Sequence, residues 1–172
     1  MLTAFRFFVA IFLCLALTGC ILQSQEPLFS DEQGELVLAS YGNQFATYSL
    51  EGDAWQRDEG TITFTPTGKR YVLTENKTSV AVTFAAVEGS WFVLQAEETG
   101  KPVSYTLLQA QKGELLLHPL NCEPLHKSGK YEGAITFDGE DCTIKPGADT
   151  AALFKSLAAD RGPARMKLVP VP

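Results

Sequence analysis

Four residues of metal-binding type lie close together late in the sequence: His118, Cys122, His126 and Cys142. Zinc needs such side chains to converge within about 2.0–2.3 Å of one point. The spacing would align the first three on one helix face, but Pro119 and Pro124 are expected to interrupt that helix. The two cysteines can instead form a disulfide, with both histidines at the surface or in loops. The compartment in which the chain folds decides between zinc and disulfide.

A different chemistry is expected at Cys20. Residues 1–6 carry one basic side chain and no acid, and the eleven residues 7–17 are apolar. Such a run suits an export signal but is shorter than the roughly 20 residues of a membrane-spanning helix. It ends at Leu17-Thr18-Gly19-Cys20, which resembles the lipobox of bacterial lipoproteins. The resemblance implies cleavage after Gly19 and a thioether bond from the Cys20 sulfur to a diacylglyceryl lipid.

Export to an oxidising compartment bears on the other cysteines. Cys14 leaves with the signal and Cys20 is acylated, so Cys122 and Cys142 remain as an even pair. We predict that they form a disulfide, and we expect no metal and no cofactor. Ile21 follows the lipid site where an aspartate would resemble an inner-membrane retention signal. Its presence favours the outer membrane of the cell envelope, facing the periplasm.

The charge of the chain limits its partners. The 172 residues carry a net charge of −6, which becomes −7 when Arg6 is removed with the signal. An acidic surface argues against nucleic acid or anionic lipid headgroups as partners. Contact with the membrane is therefore expected through the N-terminal lipid. The domain plan is a signal at 1–19, a polar tether at 20–30 and a single domain at 31–172.

Turn residues and apolar periodicity predict the fold. Glycine or asparagine recurs at intervals of about 8–13 residues from Gly34 to Gly113, and residues 61–65 and 80–86 alternate with period 2, as half-buried strands do. A helix is predicted near 149–161, because Asp149 can cap it and Gly162-Pro163 can end it. Strands are predicted near 35–40, 43–50, 61–66, 70–75, 79–87, 90–97, 103–111, 114–119, 133–137, 141–145 and 166–169. The fold class is mainly β: an antiparallel up-and-down β-barrel or curved β-sandwich of about 8–10 strands with one C-terminal α-helix.

This order of strands followed by a helix is similar to that of the lipocalin and calycin barrels, some of which are outer-membrane lipoproteins. The resemblance implies a hollow interior that carries a small apolar ligand. The residues expected to face such a ligand are Phe64, Phe84, Phe92 and Tyr105.

A second resemblance concerns a loop. Ser128-Gly129-Lys130-Tyr131-Glu132 resembles the Ser-Gly-x-x-Tyr segment of the membrane-bound lysozyme inhibitors, which are small β-barrel lipoproteins, with its tyrosine one residue closer to the glycine. It implies that Ser128 and Lys130 enter the acidic cleft of a partner enzyme. The Trp-Lys-Gly motif of that family is absent downstream.

The residue types needed for catalysis are poorly represented. The densest acidic groups, Glu97-Glu98 and Asp138-Gly139-Glu140-Asp141, fall at predicted turns and are expected to be solvated hairpin tips. No Gly-x-Ser-x-Gly nucleophile motif is present. The sequence therefore favours a non-enzymatic, lipid-anchored binding or accessory module of the cell envelope. Its partner would be a small apolar ligand or an envelope protein, as the carrier and inhibitor hypotheses respectively require.

Overall fold

The computed structural model describes residues 20–75 and 78–172. The expected signal at 1–19 and the expected turn at Asn76-Lys77 lie outside these residues. The described strands, numbered in chain order, are β1 (Gln23–Ser24), β2 (Gln44–Glu51), β3 (Ala54–Arg57), β4 (Ile62–Thr67), β5 (Arg70–Glu75), β6 (Thr78–Glu88), β7 (Trp91–Glu97), β8 (Val103–Gln111), β9 (Glu114–Pro119), β10 (Ile135–Asp138), β11 (Asp141–Ile144) and β12 (Met166–Pro170). The described α-helices are α1 (Cys122–Ser128) and α2 (Thr150–Ala159), and two 3-10 helices span Asp31–Gln33 and Val37–Ser40.

Eight strands close into an antiparallel barrel. Their order is β8-β7-β6-β5-β4-β2-β12-β9, and β9 pairs back onto β8 over Thr106–Gln111. Closure satisfies the backbone hydrogen bonds of both sheet edges. The predicted fold class is confirmed as a barrel, with a C-terminal helix at the predicted position.

Alternation along the strands divides the apolar residues between two cores. In β7, Leu94 and Ala96 belong to the core inside the barrel, whereas Val93 belongs to a core outside it. This second core explains why some strands are apolar on both faces, since their outer side is covered by other elements. Helix α2 supplies much of the cover, because Leu153, Phe154, Leu157 and Ala158 are all buried.

The segment expected as a strand at 35–40 closes one end of the barrel instead. It forms the 3-10 helix Val37–Ser40, and Leu38 is fully buried in the inner core. The Leu38 amide donates to the Tyr71 hydroxyl at 3.2 Å, and the Tyr41 hydroxyl donates to the Gln111 carbonyl at 2.8 Å. Leu38 is therefore buried as a plug across strand ends, with Val37 packed against the same core, and this 3-10 helix does not join the sheet.

The segment expected as a tether at 20–30 is packed into the domain. Strand β1 pairs with the start of β8 and with β11, and Leu22 is fully buried. The amides of Leu28 and Phe29 both donate to the buried Gln95 side chain at 2.9 Å. These contacts fix the segment on the outer wall and leave little free spacer after Cys20.

Helix α1 occurs where the two prolines were expected to prevent one. Pro119 precedes the helix, and Pro124 is its third residue, where the missing N–H is not needed. Cys122 in this helix is joined to Cys142 in β11, with an S–S distance of 2.05 Å. The predicted disulfide is therefore confirmed, and it links α1 to the sheet arm formed by β1, β10 and β11.

Candidate ligand-binding cavity

The inside of the barrel is filled at one end and hollow at the other. Near the plug, the rings of Phe45, Phe64, Tyr71 and Phe84 pack against one another with centroids 5.6–6.1 Å apart. Toward the opposite end lies a cavity of about 330 Å³. Residues from β4 to β9 and from β12 line it, so the closed barrel itself forms the wall.

The wall of the cavity is apolar because most inward-facing positions at this end carry aliphatic side chains and one carries the ring of Phe64. These positions are Ile62, Phe64, Leu73, Val80, Leu94, Ala96, Leu117, Met166 and Leu168. Ala96 is only 4% exposed and contributes no more than a methyl group to the wall. Replacing aromatic rings by such side chains leaves a void that the fold does not fill.

Polar groups are concentrated at the rim. Lys101 and Glu98, in the turn between β7 and β8, form an ion pair with an N–O distance of 2.7 Å. Glu75 lies at the end of β5, and burial together with the nearby Asp58 carboxylate raises its pKa above the ordinary value. The rim residues that the structure describes therefore include two carboxyl groups and one amine around an apolar interior.

Cys20 lies on this rim. Cys20, Ile21 and Gln23 all line the mouth of the cavity. The Cys20 carbonyl accepts a hydrogen bond from the Cys122 amide at 2.8 Å, so the backbone at this residue is held against α1. A hydrogen bond to the Asp141 carboxylate raises the pKa of the Cys20 thiol, and a smaller effect of burial acts in the same direction. The sulfur thus lies between the mouth of the barrel and the β10–β11 hairpin.

The four residues expected to face a ligand are distributed over different environments. Phe64 lines the cavity. Phe84 belongs to the filled half, and Phe92 packs against the inner core outside the lining. Tyr105 points to the outer core, where its hydroxyl lies 2.6 Å from the Ser24 hydroxyl and burial raises its pKa to about 12.

The lining residues that the sequence did not single out could be recognised only after the barrel ends were known. Alternation does place Leu94 and Ala96 on one face of β7, as it does Ile62 and Phe64 on β4. It does not say which end of each strand lies beside the plug. A prediction based on large aromatic side chains finds Phe84, which helps to fill the closed end of the barrel, and misses the smaller side chains that line the cavity.

The candidate metal ligands do not come together as a metal site. Both cysteine sulfurs are used by the disulfide. His118 is buried on β9, contrary to the expectation of a surface or loop position, and its Nδ1 lies 2.8 Å from the Gly162 carbonyl. His126 is exposed on α1 and stacks on Phe137 with centroids 4.7 Å apart. Among residues 20–75 and 78–172, no group of three or more histidine, cysteine or acidic residues is arranged to hold an ion.

Ser128 and Lys130 are exposed, but both take part in local structure. The Ser128 hydroxyl donates to the Leu125 carbonyl at 2.7 Å at the end of α1. Lys130 forms an ion pair with Asp160, the residue that follows α2, and the Tyr131 hydroxyl donates to the same carboxylate at 2.6 Å. The segment thus connects the ends of two helices. The acidic tip at 138–141 is exposed between β10 and β11, as expected.

The chain was compared with protein families, curated proteins and solved structures. No protein-family model, curated protein or solved structure matches the chain. Within the described part of the chain, no helix is both long and apolar enough to cross a membrane.

Proposed function

We propose that this protein is a lipid-anchored module of the bacterial cell envelope that binds one apolar chain inside its barrel without catalysing a reaction. The observation that carries the proposal is the half-hollow barrel. One end is closed by the segment that contains Leu38, and the other opens through a polar rim into an apolar cavity. This polarity suits an amphiphile whose chain enters the barrel while its polar end remains at the mouth.

The size of the cavity supports a small or single-chain ligand. A volume of about 330 Å³ lies near the lower end of the range of roughly 300–1,000 Å³ that ligand pockets span. Each methylene group moved from water into an apolar wall contributes about 0.8 kcal/mol. A chain of moderate length can therefore bind without any strong polar contact.

The anchor is proposed from the sequence and from the location of Cys20. The segment Leu17-Thr18-Gly19-Cys20 supports cleavage before Cys20 and lipid on its sulfur. Since residues 20–24 are fixed against β8 and β11, an anchor at Cys20 would hold the mouth of the barrel close to the membrane. A carrier of apolar chains benefits from this arrangement, because the bilayer is both the source and the destination of such molecules.

A binding experiment tests the proposal. The Cys20→Ser chain, which cannot be lipidated, is titrated with a fluorescent fatty acid, and unlabelled fatty acids of increasing length are used as competitors. We expect saturable binding that is lost in Ala96→Phe, where a ring occupies the cavity. Ala151→Phe is the matched control, since Ala151 is exposed on α2. Equal binding by both variants, or no saturable binding at all, would contradict the proposal.

A native mass spectrum of the protein purified from membranes tests the anchor separately. We expect a polypeptide that begins at Cys20, carries added lipid mass and has lost two hydrogens to the disulfide. A chain that still contains residues 1–19, or that lacks lipid, would exclude the anchor. It would leave the cavity and its binding test unaffected.

A further inference from the structure

We propose that, when no other ligand is bound, one acyl chain of the lipid on Cys20 occupies the cavity. This inference concerns the regulation of the proposed binding site and rests on the proposed lipidation of Cys20. It assigns a resident occupant to the barrel, which an incoming apolar ligand must displace.

The first argument is the point at which the lipid begins. Cys20 lines the mouth, and its carbonyl is tied to the Cys122 amide at 2.8 Å. Leu22, two residues further on, is fully buried. The attachment point therefore cannot move away from the mouth on a flexible tether. A chain that starts there is present at the cavity with a high effective concentration, as a tethered ligand is.

The second argument is the volume of the cavity. About 330 Å³ is small for a ligand pocket. It has room for one chain, and a phospholipid with two chains and a headgroup would not be enclosed. One arm of the anchor can enter while the remaining arm or arms stay in the bilayer, so the protein remains attached.

The third argument is the chemistry of the rim. Glu75 and Glu98 lie at the mouth, and Lys101 is already paired with Glu98. The acidic residues Glu140 and Asp141 also lie near the Cys20 sulfur. Anionic headgroups would be repelled by these carboxylates, and a free fatty acid meets the same repulsion, which burial of its apolar chain must outweigh. The acyl chains on Cys20 bring no phosphate to the rim, because the lipid is joined through a thioether.

The exchange itself requires no large driving force. A chain that moves from the bilayer into the barrel passes from one apolar environment to another, so little apolar surface becomes exposed to water. Attachment at Cys20 then favours binding in the cavity, while the conformational entropy that the chain has in the bilayer opposes binding. A resident chain held in this balance can be displaced by a ligand that fits the cavity better.

The experiment uses contact quenching of tryptophan by bromine. Phe64→Trp puts a reporter in the cavity wall, and Phe92→Trp puts one inside the same barrel but outside the lining. Each variant is produced as the complete lipidated protein in cells fed a brominated fatty acid. The purified proteins are then placed in vesicles of ordinary phosphatidylcholine. Leu94→Trp, also in the lining, serves if Phe64→Trp does not fold.

We expect the emission added by Phe64→Trp to be largely lost when the anchor is brominated, and that added by Phe92→Trp to be retained. In the reverse arrangement, an ordinary anchor in vesicles of brominated phosphatidylcholine, we expect the reporter to remain bright. Loss of emission only in the reverse arrangement would identify a membrane lipid as the occupant and overturn the inference. Retained emission in both arrangements would also overturn it.

The fatty acid titration distinguishes this inference from the proposed function. If the anchor occupies the cavity, the lipidated protein should bind the fluorescent fatty acid several-fold more weakly than the Cys20→Ser chain. Equal affinity in the two proteins would exclude a resident anchor chain and leave the proposed function standing. Absence of binding in the Cys20→Ser chain would instead contradict the proposed function.

Discussion

His118 is a buried histidine with a hydrogen-bond partner at only one ring nitrogen. Its Nδ1 is 2.8 Å from the Gly162 carbonyl, so this nitrogen carries the proton, while Nε2 is buried and has no partner among the residues that the structure describes. Trp91 packs on the ring at 5.0 Å, and Arg161 lies over Trp91. Burial lowers the pKa of His118, the hydrogen bond to Gly162 offsets part of this effect, and the charge of Arg161 lowers the pKa again. The folded protein therefore favours the neutral form of the His118 ring over the protonated form.

This arrangement predicts a loss of stability in mild acid. The unfolded chain takes up a proton on His118 near the ordinary pKa of 6.5, whereas the folded chain does so only at lower pH. The free energy of unfolding should therefore fall as the pH is lowered through 6.5, by no more than about 1.4 kcal/mol per pH unit for one proton. Urea unfolding of His118→Gln should lack this component, while His126→Gln, altered at an exposed position, should retain it. An unchanged profile in His118→Gln would assign the effect to other groups.

Gly34 is required for a close backbone approach. A β-carbon at this position would lie 2.1 Å from the Lys69 carbonyl oxygen. Because a backbone atom cannot move aside easily, Gly34→Ala should lower the free energy of unfolding by about 1–3 kcal/mol, as overpacking does. Gly162→Ala is the control, since no atom of residues 20–75 or 78–172 lies within 4 Å of a β-carbon there. Equal stability of the two variants by urea unfolding would contradict the proposed contact.

The residue scale also shows which parts of the site could be predicted from sequence. Cys122 and Cys142 could be paired by counting, because the export and acylation expected from the sequence would leave no other cysteine. Ala96 could not be recognised as a wall residue, because its small side chain matters only through the cavity volume that it leaves unfilled. That space depends on the position of the plug along the barrel, and strand periodicity carries no information about it.

Among the elements, helix α2 depends on the residue that precedes it, Asp149. The Asp149 side chain accepts a hydrogen bond from the Ala152 amide at 3.0 Å, which satisfies one of the free donors of the first turn. Asp149→Ala should reduce the free energy of unfolding by about 0.5–2 kcal/mol. Asp149→Asn keeps an oxygen acceptor and should lose much less. If both variants unfold at the same urea concentration, the cap does not contribute to stability.

The disulfide joins α1 to the outer arm of the sheet. It closes a loop with a sequence separation of 20 residues. In the chain-entropy model, a loop of this size restricts the unfolded chain enough to contribute about 3 kcal/mol. The double variant Cys122→Ala/Cys142→Ala should therefore unfold at a clearly lower urea concentration than the oxidised protein. Dithiothreitol should destabilise the unchanged protein in the same direction and should have no effect on the double variant.

Elements that pair along their length were easier to predict than elements that cross the ends of others. Strands β8 and β9 begin and end at the predicted residues, because each is a run rich in β-branched, aromatic or apolar residues between clear turns. The 3-10 helix Val37–Ser40 has the composition of a strand, but its role is to cover strand ends. Strand β3 was not predicted from the sequence, because it is only four residues long and pairs with β2 alone. The 3-10 helix depends on tertiary contacts that local pattern does not reveal, whereas β3 depends on a short hairpin with β2.

At the scale of the whole molecule, the packed segment 20–24 connects the site of the proposed anchor, Cys20, to the cavity. An anchored domain on a loose tether could turn in any direction. Here β1 is held between β8 and β11, and Cys20 lies on the rim of the barrel. With lipid on Cys20, the mouth of the barrel would remain near the bilayer surface, and the plugged end would lie farther from it. The anchor would thus determine the orientation of the protein as well as its location.

A barrel with an unfilled cavity has a lower free energy of unfolding than the same barrel with the cavity filled. Ala96→Phe should place its ring in the cavity, and in the Cys20→Ser chain it should raise the free energy of unfolding by about 0.5–2 kcal/mol, as cavity filling commonly does. Added fatty acid should stabilise the parent chain by mass action and leave the Ala96→Phe chain unchanged. Ala151→Phe, at an exposed position of α2, should match the parent with and without fatty acid. A loss of stability in Ala96→Phe would mean that the interior is already full at this position. A gain in stability with loss of binding would instead indicate that the void is kept because the ligand occupies it.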